Sequence, residues 1–475
     1  MNLLKSILNS LELFFGLYSF LYLSIYSILL YLSIKATLKH FNGKKELNEK
    51  VLSFTDESTG VSIIAPAFNE EATILDSVKS FFSQQYSKYE VVIVNDGSTD
   101  KTLELLIDEF DLVKVEFYYI EKIVTQPVRG HYKSTNPLYY KLLVVDKENG
   151  KSKADASNAG INSCKYSIFL CSDVDCILRP DTISMMVKPF ITSTKRVIAS
   201  GATIRMANQS DVKEGNLLQH HYPKNFYAGF QELEYIRSFV FGRMAFSSFN
   251  GLLLVSGGLG MFDKDIVLAA GGYWHKSLGE DLDLVIRMRK YMHETKQPFE
   301  ITYIPETLCW TEGPSTKDVF IRQRVRWARG LVQTLNIHKK IFFNPAYGVT
   351  GMISFPYFVF YEMLVPIMEL IGLIVIFIDA IFFNINYKFL IIVTIFVYLY
   401  YVVLNLANIL TDLLTKKQYP TVKQVFIMIK NVFLEPFLYH PINLYSSLKG
   451  QLQFFQNKEQ KWGTMTRQGF NKKTN

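Results

Sequence analysis

Two carboxylates one residue apart, Asp173 and Asp175, close the apolar run Tyr166-Ser-Ile-Phe-Leu-Cys-Ser-Asp-Val-Asp175. On a β-strand alternate side chains share a face, so a strand-end pair would aim at one point. That point suits a hard divalent cation such as Mg²⁺, which is typically held by one or two carboxylates plus substrate phosphates. An isolated Asp-x-Asp is more often a solvated loop, so the weight rests on what surrounds it. Asn69 and Glu70 follow the apolar run Val61-Ser-Ile-Ile-Ala65, and Asp96 follows Val91-Val-Ile-Val94. Lys153, in Gly150-Lys-Ser-Lys-Ala-Asp-Ala-Ser-Asn-Ala-Gly160, opens a helical pattern that leads into the Asp-Val-Asp run. These types are also ordinary turn and helix-start residues, and for Asp96 the two readings are even. Glu280, Asp281 and Asp283 crowd a helix start, where acids favour the dipole. Arg322, Arg326 and Arg329 recur at i, i+4 and i+7, so a helix there carries a cationic stripe that meets either substrate phosphate or lipid phosphate.

The elements that must position these groups alternate in type. A strand at Val61–Ala65 precedes a helix to Gln85, Val91–Val94 precedes another, and Val113–Tyr119 is a third strand. Such alternation predicts a parallel sheet with crossover helices, which binds ligands beyond the carboxyl ends of its strands. No GxGxxG or GxxxxGK[ST] loop stands at these turns, which excludes an NAD enzyme or a P-loop nucleotidase and leaves phosphate to metal and basic side chains. The stretch Ile123–Asn149 reads as an insertion. Glu232, Glu234 and Tyr235 read as a solvated amphipathic helix, with an acceptor-channel lining as the alternative. In Val255-Ser-Gly-Gly-Leu-Gly260 the glycines let the backbone approach an acceptor sugar or make a tight turn. His220 and His221 have no partner at metal-ligand spacing and are read as structural.

Across 475 residues, 49% hydrophobic and 20% charged, the apolar excess is uneven. Leu13–Ile34 and Phe389–Thr411 are uncharged and long enough to span a bilayer as helices. Met352–Phe383 is also long enough but carries Glu362, Glu369 and Asp379, expensive in lipid unless they face a bundle or polar path. Thr421–Gly450 is interrupted by charge and proline, which suits an interfacial or re-entrant element. Lysines after the first span, and Lys458, Lys461, Arg467, Lys472 and Lys473 in the tail, place the flanking domains on the cytoplasmic side. The formal charge of +8 comes without a nucleic-acid-binding signature, so anionic lipid is the expected partner and nucleic acid is not. Four cysteines without a CxxC pair fit reduced thiols.

Pro66-Ala-Phe-Asn-Glu-Glu, Asn95-Asp-Gly-Ser-Thr-Asp, Lys153-Ala-Asp-Ala-Ser-Asn-Ala-Gly, Ser172-Asp-Val-Asp, Gly279-Glu-Asp281 and Gln323-Arg-Val-Arg-Trp327 stand in the order and spacing of family 2 glycosyltransferases. The chain resembles in particular the membrane-embedded synthases of cellulose, chitin, hyaluronan and poly-N-acetylglucosamine. The resemblance implies an α/β GT-A fold and metal-dependent inverting transfer, using Mg²⁺ or Mn²⁺, from a nucleotide-diphosphate sugar, UDP-linked, to a growing β-linked glycan. It implies Asp281 as general base with Glu280 beside it, Asp173 and Asp175 as metal carboxylates, and a substrate-binding set of Pro66, Asn69, Glu70, Asp96, Lys153, Asp173, Gln323, Arg326 and Trp327. The organisation it implies is an anchor and linker at 1–50 with a span near 13–34. A cytosolic GT-A domain follows at 51–340, with an interfacial helix at 317–338. A membrane region at 341–450 has spans near 352–383 and 389–411 and an interfacial segment at 421–450, and a basic cytosolic tail occupies 451–475. The whole would sit multi-pass in the cell's inner membrane, with donor, glycan acceptor and bilayer as partners and room for an accessory membrane subunit. Lys461-Trp-Gly-Thr-Met-Thr-Arg467 resembles the carboxy-terminal Trp-Gly-Thr-Arg signature of hyaluronan synthases with an insertion, which would return Trp462 and Arg467 toward the site. Gly279 in place of Thr, Ser152 in place of Gly, and a single amino-terminal span depart from the pattern and bear on the product rather than the fold. The alternatives are transfer of one sugar to a lipid carrier and a non-catalytic transporter or scaffold.

Overall fold

The computed structural model describes residues 2–43, 59–382, 387–416 and 421–458. The linker lysines Lys44, Lys45 and Lys50 and the tail residues Trp462 and Arg467 lie outside the described residues. A long helix, α1 (Asn2–Gly43), leads into an alternation of strands and helices. These are β1 (Val61–Ala67), α2 (Ile74–Phe82), β2 (Tyr89–Asn95), α3 (Thr102–Glu109), β3 (Leu112–Val115), β4 (Val128–Ser134) and β5 (Leu142–Lys147). Then come α4 (Lys153–Ser163), β6 (Ile168–Ser172), β7 (Cys176–Leu178), α5 (Thr182–Thr192) and β8 (Arg196–Met206).

Among the described residues a ten-stranded sheet runs β3-β4-β5-β2-β1-β6-β11-β8-β12-β7, with β11 at Leu259–Asp263 and β12 at Phe299–Thr311. A small hairpin, β9 (Asp211–Lys213) with β10 (Asn216–Gln219), stands apart from it. β5, β2, β1 and β6 pair in parallel, while β11 runs antiparallel between β6 and β8. The near-continuous burial of β1, β2, β5 and β6 explains their Val/Ile/Leu-rich runs, since a parallel sheet is covered on both faces.

Two sequence readings are corrected here. The third strand stops at Val115, and it is an antiparallel edge strand rather than a parallel one. The supposed insertion Ile123–Asn149 supplies β4 and β5, and β5 is buried along its whole length beside β2. A lysine and an aspartate at its end hid a core strand, because both are buried by pairing rather than exposed.

After the hairpin come α6 (Phe226–Tyr235), a π-helical continuation Ile236–Arg243, and α7 (Met244–Ser248). They are followed by α8 (Lys264–Ala269), α9 (Glu280–Glu294) and α10 (Lys317–Ile337). Thr350–Ser354 and Phe358–Met363 are π-helical turns on either side of an α-turn, Phe355–Tyr357, and the apolar helix α11 begins only at Val365 and ends at Phe382. α12 (Tyr387–Lys416), α13 (Val422–Leu438) and α14 (His440–Phe455) complete the described chain. Among the described residues three helices are long and apolar enough to cross a membrane: Ser10–Asn42, Val365–Phe382 and Tyr387–Thr415. Glu369, on the second, pairs with His440 Nε2 at 3.0 Å.

Candidate functional site

The turn residues after β1 and β2 tie their two loops together. Asn69, in the left-handed backbone region at φ 56° that asparagine tolerates, accepts from Thr99 N at 2.8 Å through Oδ1. Its own backbone N–H donates to Ser98 Oγ, and Glu70 N donates to Thr102 Oγ1 at 2.9 Å. Asn69 and Glu70 therefore shape the wall, and Pro66 stands within β1 itself.

Asp96 is buried behind them, and its carboxylate is held by Lys147 Nζ at 2.7 Å and by Gly150 N at 3.0 Å. Burial raises its pKa, against the pull of Lys147 and Gly150. Lys147 is fully buried and also meets Asp155 at 2.6 Å, so one ammonium locks the β2 turn to the first turn of α4. Sequence reasoning missed both partners. A lysine ending the apolar run Leu142-Leu-Val-Val, followed by an aspartate inside the Lys153–Gly160 motif, was the available signal.

Asp173 and Asp175 do not alternate along a strand. They occupy a turn between β6 and β7, closed by Cys176 N donating to Asp173 O at 3.2 Å. As a result the two carboxylates are unequal. Asp173 is about a third exposed and pairs with Lys153, whereas Asp175 is 2% exposed, with the Cys176 thiol 3.7 Å from its Oδ1. Lys153 also donates to Gly257 O at 2.7 Å. Burial alone would lower the Lys153 pKa, but the charges of Asp173 and Glu280 outweigh it, so the ammonium stays charged.

The Gly257-Gly258 step is where the separate motifs meet. A Cβ on Gly257 would sit 2.9 Å from Asp281 Oδ2, and one on Gly258 would sit 3.5 Å from Asp173 Oδ2. The glycines thus admit the protein's own carboxylates, not only an acceptor or a tight turn. Asp281 accepts from Leu282 N at 2.9 Å at the start of α9. Glu280 beside it is buried, and desolvation together with the Asp281 charge pushes its pKa up to about 7, against Lys153 and Arg326. Asp283 is set apart: it is buried against Arg287 at 2.8 Å and His338 at 2.8 Å, which makes it a structural acid.

α10 lies over this corner. A Cβ on Gly330 would fall 2.8 Å from Gly279 N, so only glycine lets this helix seat against the Gly-Glu-Asp motif. Its cationic stripe divides. Arg322 is exposed, Arg326 is half-buried within the field of Glu280, and Arg329 is buried, donating to Lys458 O. Gln323 is buried, and its Oε1 has no hydrogen-bond partner among the described residues. Trp327 stacks under Arg324, whose guanidinium is 4.5 Å from the ring centroid.

Glu232 and Glu234 are not solvated. Glu232 has no exposed surface and is bound by Met206 N at 2.8 Å and by Arg205, which also pairs with Asp412 on α12. Glu234 takes Arg324 and the Tyr439 hydroxyl at 2.6 Å. Arg237 reaches Glu435 on α13 at 2.9 Å and Asn405 on α12 at 2.9 Å. A hydrophilic-looking helix is in fact the seam between the sheet and the membrane-length helices. His220 is buried, with Nε2 at 3.1 Å from Met206 O, which leaves it structural.

Among the described residues no group of three or more His, Cys, Asp or Glu side chains could cage a metal. Asp173 and Asp175 alone supply carboxylates at the β6–β7 turn. Two carboxylates are the donor set that takes Mg²⁺ or Mn²⁺ when a diphosphate and water complete the shell, not that of a structural metal; of the two, Asp173 is the accessible one.

Two family profiles match the chain: one described as glycosyl transferase family 2 over residues 62–252, the other as glycosyl transferase family group 2 over residues 170–409. The chain is 26% identical over 292 residues to a poly-β-1,6-N-acetyl-D-glucosamine synthase of Staphylococcus epidermidis, covering 61% of this chain and 59% of that protein. It is 27% identical over 284 residues to the synthase of the same description from Staphylococcus aureus strain COL, covering 60% and 57%. The matched region is thus under two thirds of each relative's length. A mannosyltransferase from Pyrobaculum calidifontis, solved with GDP-Man and Mn²⁺, shares the fold with a TM-score of 0.52 at 16% identity, covering 91% of this chain and 99% of that one.

Proposed function

The chain belongs to the family 2 glycosyltransferases, and from that premise we propose that it extends a β-linked polysaccharide at a membrane, using a UDP-linked sugar. The observation that carries this reading is the convergence of Lys153, Asp173 and Asp281 on Gly257-Gly258, beneath a helix that also packs against the carboxy-terminal helices. N-acetylglucosamine is the favoured sugar, because the curated relatives described above are named for that polymer.

In the proposed reaction the loops of Pro66, Asn69 and Glu70 and the anchored Asp96 bind the nucleoside. Asp281 takes the proton of the acceptor hydroxyl as that oxygen bonds to the anomeric carbon and the bond to the diphosphate breaks. General-base help of this kind is worth about 10²–10⁴-fold. Lys153 and Arg326 stabilise the charge developing on the leaving diphosphate. Asp173 and Asp175 would hold a divalent cation, which when bound adds Lewis-acid neutralisation of the same diphosphate. Gln323 and Trp327 are assigned, through the match of their motif, to the diphosphate and acceptor end of the site. The lysine-rich flanks support a cytoplasmic orientation for this domain, with the membrane-length helices holding it at the bilayer.

The test incubates purified protein in detergent or vesicles with labelled UDP-N-acetylglucosamine, other UDP-sugars, and Mn²⁺ or Mg²⁺. A ladder of β-linked oligomers is expected. A single-sugar lipid product would replace polymer extension with lipid-carrier transfer, and no transfer or hydrolysis with any donor would sink the proposal.

A further inference from the structure

A well-formed cavity lies away from the convergent carboxylates. It measures about 550 Å³ and lies at the opposite ends of the same strands. Tyr89 and Leu142, the first residues of β2 and β5, line it, as do Ile161–Tyr166 where α4 ends and β6 is about to begin. No residue of the membrane-length helices contributes to its wall. Its volume is within the range of about 300–1,000 Å³ that suits one small molecule.

Its chemistry is lopsided. Lys122, Lys133, Lys141, Lys165 and Lys264 stand on the wall, and among the described residues none of them forms an ion pair with a carboxylate. Glu90 is the one acid there, and its carboxylate is already engaged by Ser62 Oγ and Lys165 N. Aromatic rings share the rest of the wall with aliphatic residues such as Leu142, Ile161 and Leu268. Lys141 Nζ lies 4.0 Å from the centroid of Tyr89, Lys165 Nζ 5.2 Å from that of Tyr166, and Lys133 Nζ 5.5 Å from that of Phe117. Tyr118 and Tyr140 also line the cavity yet remain 91% and 69% exposed, with Lys141 Nζ 5.7 Å from the centroid of Tyr140.

Scattered surface lysines are ordinary, but five of them around one concavity with a single engaged acid make a field that favours an anion. Exposed rings beside them offer stacking to a planar group, as sequence-tolerant nucleotide sites do. We propose that this cavity is a second ligand site, separate from the sugar-donor site, for a nucleoside phosphate whose base stacks on Tyr118 and Tyr140 and whose phosphates meet Lys133 and Lys165.

The test uses full-length protein in detergent, photolabelled with 8-azido-ATP in excess UDP so that the donor site is blocked. Label is expected on peptides carrying Tyr118 or Tyr140. The K133E/K165E double variant, altered only at exposed side chains, should reduce it by about tenfold or more, as loss of two charge-assisted contacts predicts. Tyr140→Ala should weaken labelling while leaving competition by inorganic pyrophosphate intact. Label confined to the peptides around Asp96 and Asp173, or unchanged labelling in the double variant, would overturn the site. Full labelling of Tyr140→Ala and of a Y118A/Y140A variant would overturn the nucleoside part of it.

Discussion

Lys147 and Arg205 are both cations with no exposed surface, and each is wedged between two carboxylates. Lys147 joins Asp96 to Asp155, partners within the sheet domain at the donor corner. Arg205 joins Glu232 on α6 to Asp412 on α12, a contact spanning 207 positions of sequence. The same arrangement therefore does two jobs. At the donor corner it freezes the loops proposed to bind nucleotide, and at the seam it clamps the sheet to a membrane-length helix. A buried ion pair offers little net stability over apolar packing, yet losing one member is costly, so such pairs specify which surfaces meet. Asp281, the proposed base, is a member of neither pair.

The sharpest way to separate the three is to change one acid or base in each. Asp281→Asn should cut transfer by about 10²–10⁴-fold while UDP binding, measured by calorimetry or fluorescence, stays as in the parent. Loss of nucleotide binding in that variant would move Asp281 into the donor corner and erase the distinction.

Next in size, Arg205→Met strands Glu232 and Asp412 without their cation. Thermal unfolding in detergent should reveal a loss of about 3–5 kcal/mol, the usual result of breaking a buried pair from one side. Donor affinity in the folded fraction should not change. If unfolding is unaltered, the clamp is not one.

Asp96→Asn probes the other side of the comparison. It keeps the shape but removes one charge-assisted hydrogen bond from Lys147, worth about 1.5–3 kcal/mol. The expected readout is weaker UDP binding by about an order of magnitude, with α12 still docked by protease protection. Intact UDP affinity would make Asp96 a turn residue and nothing more.

The two regions also differ in how far they could be read in advance. Strand, acid and turn lie within a few residues of one another at Val61–Asn69, Val91–Asp96 and Ile168–Asp173, so the parallel core and its polar edge follow from local pattern. The internal arrangement of that corner does not. The Asp-Val-Asp acids were expected on one strand face, but the chain turns there, exposing one and burying the other. β5 was lost because Asp146 and Lys147 look like loop residues until Arg129 and Asp96 are known to neutralise them. At the seam, Phe226–Tyr235 has an amphipathic pattern that matches a solvent-facing helix equally well. Partners supplied by Arg205, Arg324 and Tyr439, close in space and remote in sequence, turn its acids inward.

Glu280 gives the smallest effect and the finest test, because it should report on the reacting centre through pH alone. Its pKa is raised from 4.5 to about 7 in the folded chain by burial and by Asp281. A carboxyl held more tightly protonated in the folded state favours folding fully below pH 4.5, and that contribution disappears as pH rises through about 7. Glu280→Gln is neutral at every pH and lacks this dependence. Apparent melting temperatures of the two proteins should therefore diverge as pH increases from 5 to 8, the variant gaining by a few degrees. A melting difference that is constant across this range would mean that Glu280 is ionised throughout and that the pair is not coupled.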